Sequence, residues 1–86
     1  MQWIAIDTLN HPTNGTFFSI ITARRRTQLI LWYQSGSGLR QGDTLHVGRQ
    51  EIYINTGQDA IVLLNSVPFN RVVWQNIRTL NGCYPS

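Results

Sequence analysis

The sequence predicts an all-β fold, a small, strongly bent, partly open β-barrel of five to seven short strands. Three observations predict it. Gly, Pro, Asn, Asp and Ser punctuate the 86-residue chain at short intervals, which leaves room for strands but little for ordinary helices. The runs between them are rich in Val, Ile, Thr and aromatic residues, which suit a pleated surface. Four of those runs, Phe17–Ile21, Leu29–Tyr33, Ala60–Leu64 and Val72–Trp74, are apolar on both faces, so each has to be covered from two sides.

Taken in order, Gln2–Ile6 is the first strand, with Trp3 and Ala5 on one side and Ile4 and Ile6 on the other. Asp7–Thr16 reads as a loop because it holds Asn10, Pro12, Asn14 and Gly15. Within it Asn14-Gly15-Thr16 has the form of a glycosylation sequon but is read as a turn. Phe17–Gln34 contains no Gly or Pro, and as one straight strand it would reach roughly 60 Å, about twice the width of a domain this small. It must double back, and hydrophobicity lapses at Arg24-Arg25-Arg26-Thr27, giving strands near Phe17–Ala23 and Thr27–Gln34. Ser35-Gly36-Ser37-Gly38 makes a loop tip. Short strands are expected at Thr44–Val47, Glu51–Asn55, Ala60–Leu64, Arg71–Gln75 and Ile77–Leu80. No helix is expected, since the one contender, Asp59–Leu64, is short and β-branched.

Residues 1–86 make one domain, of a size that buries only about 60% of the surface its unfolded chain exposes. With 42% hydrophobic and 13% charged residues the chain is no disordered tail, and the longest apolar run, Leu29–Tyr33, is too short to cross a membrane. No signal peptide is visible at the start and the lone Cys83 has no internal disulfide partner, which together favour the cytoplasm. Cys83 follows the last expected strand, beside Gly82 and Pro85, and is expected to be frayed and dispensable. One barrel interior cannot take both faces of the apolar strands, so the outer face is expected to be covered by further copies of the chain, as a homo-oligomer and possibly a ring.

The chemistry of sites is sparse. Gly36-x-Gly38-x-x-x-Gly42 fits neither phosphate-binding fingerprint and precedes a strand. His11, His46 and Cys83 are not at metal-ligand spacings. No nucleophile elbow is present, and Asp7, Asp43 and Asp59 sit at expected turns. No enzyme activity, cofactor or metal site is therefore expected. All seven cations are Arg, and the net charge of +3 with a pI near 9.8 makes an anionic partner plausible. Arg24, Arg25 and Arg26 at a strand tip place three forked cations where phosphates can reach them, with Arg40 and Arg49 in other loops. Among Trp32, Tyr33, Tyr53, Phe69 and Trp74, which have the chemistry to stack bases, Tyr53 has the weakest packing explanation because Glu51 and Asn55 flank it on its face.

Leu39 to Leu80, read as a unit, resembles the Sm-like fold and within it the bacterial Hfq branch, a barrel related in form to SH3-like and OB-like folds. Leu39-Arg40-Gln41-Gly42-Asp43-Thr44-Leu45 looks like the family's bent strand with its Gly, Asp59-Ala60-Ile61-Val62-Leu63-Leu64-Asn65 like the strand ending in an aliphatic run, and Arg71-Val72-Val73-Trp74-Gln75-Asn76-Ile77 like the closing strand. Trp74 takes the place of the family's aromatic, whereas Gln75 and Asn76 stand where it has Lys and His. The resemblance implies a ring of barrels that binds RNA; with it, single-stranded RNA is the expected ligand, held by Arg24, Arg25, Arg26, Arg40, Arg49, Tyr53, Trp74 and Asn76. Two other functions fit the residues: a protein–protein interaction or inhibitor module from a phage or mobile element, and a small-ligand barrel with Trp32, Tyr53 or Trp74 at its mouth.

Overall fold

β1 (Gln2–Asn10) organises the architecture, because it is the strand on which the sheet closes. The structure, a computed structural model, describes residues 2–13, 15–23, 27–47, 52–54 and 59–85, with backbone alone at 47, 52–54 and 59–60. The remaining strands are β2 (Thr16–Thr22), β3 (Gln28–Gln34), β4 (Thr44–Val47), β5 (Ile52–Ile54), β6 (Asp59–Pro68) and β7 (Tyr84–Pro85), with one helix, α1 (Arg71–Leu80), between the last two. The order is β2-β3-β6-β5-β4-β1-β7, and β1 also pairs with β2, so the sheet curls round on itself. On its other edge β1 pairs with β4 only over Gln2–Ile4 and with β7 only at Leu9 and Asn10, and between them Ala5 exchanges hydrogen bonds with the Asp43 carbonyl (2.8 Å) and the Gly42 amide (2.9 Å). The all-β, strongly bent, partly open barrel read from the sequence is thus what the chain forms.

The long Gly-free run folds back where expected. Thr22 faces Gln28, the Ala23 amide donates to the Thr27 carbonyl at 2.9 Å, and β2 and β3 pair without interruption from there to Thr16 and Gln34. β1 is longer than its sequence suggested, because Asp7 to Asn10, read as loop, pair with β2 as far as Asn10 opposite Phe17. The residual turn closes through His11 N–H to the Thr16 carbonyl (3.0 Å), with Gly15 at φ 84°, a left-handed conformation that glycine adopts without steric cost.

The largest departure is at residues 71 to 80, expected as two strands, Arg71–Gln75 and Ile77–Leu80, and folded as one helix. Asn70 caps it, its side-chain oxygen accepting from the amides of Val72 (2.8 Å) and Val73 (3.3 Å). Arg78 lies in the last turn, where a cation suits the helix dipole, and Gly82 follows at φ 67°. Val72, Val73 and Ile77 each lower helix propensity by a few tenths of a kcal/mol, but the cap and the burial of Trp74 outweigh that.

This helix also answers the question of the two-faced strands. The inward face of the barrel gathers Ala5, Ile21, Leu31, Tyr33, Leu39, Leu45 and Ile61. The outward face of β1–β3 presents Leu9, Phe18, Ile20 and Ile30, and these are covered by Trp74 and Cys83, with Phe69 and Ile77 packed alongside. A bulge in β1, where Ala5 faces Ile21 but Asp7 faces Ile20, brings Ile6 against the outer cluster. The outer face of β1–β3 is therefore covered from within the chain, and further copies are not needed to cover it.

Cys83 is likewise not frayed. It is 6% exposed in the outer cluster, its thiol pushed up from its ordinary value of 9.0 by burial, and β7 beyond it pairs with β1. Two consequences are expected. Iodoacetamide should label Cys83 only slowly until the protein is unfolded, since the thiolate is the nucleophile. Cys83→Ser, which buries a hydroxyl, should cost about 1–3 kcal/mol, a drop of several degrees in a thermal melt.

Candidate functional site

Among the described residues the inward side chains of the barrel pack into one cluster. Tyr33, 0% exposed, accepts a hydrogen bond from the Leu39 amide (2.9 Å) and lies 2.7 Å from Ser19 Oγ, which lies 2.7 Å from Thr8 Oγ1. This chain of hydroxyls fastens the loop from Ser35 to Asp43 over the core. Gly38 in that loop comes so close that a Cβ would stand 2.8 Å from Cδ1 of Phe17. Trp32 and Trp74 sit on the outer face, Trp32 stacked on Phe18 (5.7 Å, 19°) and Trp74 under α1. A small-ligand barrel with these residues at its mouth is accordingly ruled out; the Tyr53 side chain lies outside the described residues.

The residues expected to hold RNA do not form a described site. Arg24, Arg25, Arg26 and Arg49 lie outside the described residues, and Tyr53 is placed only by its backbone, on β5 opposite His46 and Ala60. Arg40 is exposed at a tight turn, its amide donating to Asp43 Oδ2 (2.8 Å) and its carbonyl accepting from the Asp43 amide (3.0 Å), with Gly42 at φ 92°. Trp74 is 7% exposed and is a core residue. Asn76 is exposed two residues further along the helix, a rotation of about 200° from Trp74. Among the described residues no three His, Cys, Asp or Glu side chains come together as metal ligands, and no helix is long and apolar enough to cross a membrane.

What the structure does assemble is an apolar surface on β6 and its surroundings. Val62, 61% exposed, Leu63, Leu64 and Val67 show their side chains to solvent along this one strand, and Trp32, 41% exposed, stands beside them on β3. The register explains the grouping: Val67 faces Ile30 and Asn65 faces Trp32, and the ladder then slips so that Tyr33 faces Leu63, leaving Leu64 as the extra residue of a bulge. Where α1 passes over the sheet it leaves a groove of about 130 Å³, lined by Phe18, Ile30, Trp32, Asn65, Val67 and Ile77. Val73 and Leu80 are exposed on the helix itself. Such a concentration of solvent-facing apolar side chains marks a surface for another protein. The two-faced run Ala60–Leu64 was its signal in the sequence; only the helix identifies which of the two-faced strands stays uncovered.

The model of the IraM/PmrD family matches residues 1–75. Anti-adapter protein IraM of Escherichia coli is 34% identical over 83 residues, covering 96% of this chain and 73% of that protein, and the IraM of Shigella flexneri matches to the same extent. A crystal structure of Escherichia coli PmrD has a TM-score of 0.82 at 14% identity, covering 95% of this chain and all of that one, which establishes the shared fold. The Sm-like resemblance is overturned by these matches, and its physical weakness is visible in the fold: the supposed closing strand, Arg71–Ile77, is helical, and β1 closes the sheet instead. With it go single-stranded RNA as ligand, the Hfq-type ring and the origin in a phage or mobile element. The chain belongs to the IraM/PmrD family.

Proposed function

We propose that this protein is an anti-adapter, a regulatory inhibitor that acts by binding an adapter protein. The observation that carries the reading is the one-third identity, along nearly the whole chain, to proteins named anti-adapter IraM. Residues 1–86 act as one domain in it. The chemistry is that of recognition without catalysis: inhibition by occupancy needs a stable scaffold and an apolar, partly desolvated patch, and the surface of β6, Trp32 and α1 supports such a role. The partner is a protein, and the reading carries a cytoplasmic location with it, in keeping with a lone, buried Cys83.

Calorimetric titration of the purified chain into the adapter that Escherichia coli IraM opposes should show saturable binding, and Escherichia coli IraM should displace the chain from it. Absence of heat and of competition at about 100 μM protein, corresponding to an affinity weaker than roughly −5.5 kcal/mol, would end the reading.

A further inference from the structure

We infer that Asn81-Gly82 is a site of self-modification, where the chain deamidates without an enzyme and thereby loosens the helix that covers the outer face of the barrel. The chemistry needs an Asn whose side-chain amide is accessible, followed by a residue that puts no Cβ in the way of its own nitrogen. Asn81 is exposed at the C-cap of α1, with ψ 1°, and Gly82 after it is exposed at φ 67°. The space around Gly82 is open, since a Cβ there would meet only Cγ of Pro12, at 3.6 Å. Among the described residues neither the Asn81 side chain nor the Gly82 amide takes part in a hydrogen bond, so neither reacting group has to be released first. The ring closes when the Asn81 ψ turns away from 1°, a movement of the kind that fraying helix ends make.

The Gly82 amide nitrogen, giving up its proton, bonds to Cγ of Asn81; the bond from Cγ to Nδ2 breaks and ammonia leaves with that proton. Water then opens the cyclic imide at either carbonyl. One opening gives aspartate, the other isoaspartate, in which the backbone runs through Cβ and Cγ and gains one atom. The place of the step in the fold gives it an effect. On one side of Asn81-Gly82 the helix is held down by Trp74 and Ile77, and on the other Cys83 is buried in the same cluster, with β7 paired to β1 just beyond. An extra backbone atom in so short a tether, fastened at both ends, displaces one of them. The new carboxylate also stands at the negative end of the helix dipole, which disfavours it. Release of α1 would uncover Leu9, Phe18, Ile20 and Ile30 and remove the Ile77 wall of the groove beside β6. The chain thus carries a chemical limit on the life of its own outer face.

The test ages the purified full chain in warm neutral buffer, folded and in guanidinium, and cuts samples with trypsin, which after Arg78 frees residues 79–86 with Asn81 as their only Asn. By the time half of the denatured sample has converted, the folded sample should contain this peptide heavier by about 1 Da, in two forms, the isoaspartyl one a substrate for protein isoaspartyl methyltransferase. The aged folded protein should then react several-fold faster with iodoacetamide at Cys83 than fresh protein does. Asn81→Gln, whose longer side chain closes a ring far more slowly, should show neither change. A folded sample with no converted peptide at that point, or a mass gain confined to the peptide that carries Asn14-Gly15, would overturn the site. Conversion that leaves Cys83 as slow to label as before, or equal loosening in aged Asn81→Gln, would overturn its effect on the helix.

Discussion

Trp74→Ala is expected to lower stability by about 3–5 kcal/mol, a large part of the roughly 5–15 kcal/mol available to a domain. The indole lies under α1 against Leu9, Phe18, Ile20 and Ile30 and supplies most of the helix's hold on the sheet. Its loss leaves a cavity and a helix with few other buried side chains. An urea titration should show the midpoint falling with little residual cooperativity in the helical signal, and a hydrophobic dye should bind the uncovered face. A base-stacking Trp74 would have left the midpoint unchanged.

Tyr33→Phe is expected to cost about 1–3 kcal/mol, although it removes a single atom. The hydroxyl accepts from Leu39 N–H and pairs with Ser19, and its removal leaves a buried amide without its partner. The loop from Ser35 to Asp43 should loosen first, visible as faster hydrogen exchange at Leu39. Burial, the largest influence, raises the Tyr33 phenol above its ordinary 10.0, while the hydrogen bonds from Leu39, Ser19 and Thr8 pull the other way. The folded protein therefore holds this proton more tightly than the unfolded chain. The linked stability is complete below pH 10.0 and falls as the pH rises from there towards the folded value. Tyr33→Phe should be less stable at neutral pH yet lose less of its remaining stability on alkaline titration.

The strands were legible because their signal is local. A Gly-free run too long for the domain had to turn, and Thr22 does come back opposite Gln28, with Thr44–Val47 recovered to the residue. The helix was missed although its punctuation is written in the chain: Asn70 as cap, Arg78 in the last turn, Gly82 just beyond, and Val73, Trp74, Ile77 and Leu80 at helical spacing. Four β-branched residues, Val72, Val73, Ile77 and Thr79, masked that period. The error then propagated, since Val72–Trp74 counted as a two-faced strand and its covering role was assigned to other molecules. The apolarity of both faces of β2 and β3 was read correctly; what lay over them was a long-range fact. The exposed apolar surface was legible only in part for the same reason, because Val62 and Val67 look like core until the place of the helix is known.

The position of α1 so late in the chain sets a schedule for the nascent protein. β1, β2 and β3 are complete at Gln34, and Leu9, Phe18, Ile20 and Ile30 then wait, uncovered, for Trp74. At about 5–20 residues per second, residues 35 to 80 take a few seconds to emerge. For that interval the growing chain shows a greasy sheet that nothing yet made can shield, and Trp74, made long after the strands it covers, ends its exposure to chaperones and to neighbouring chains.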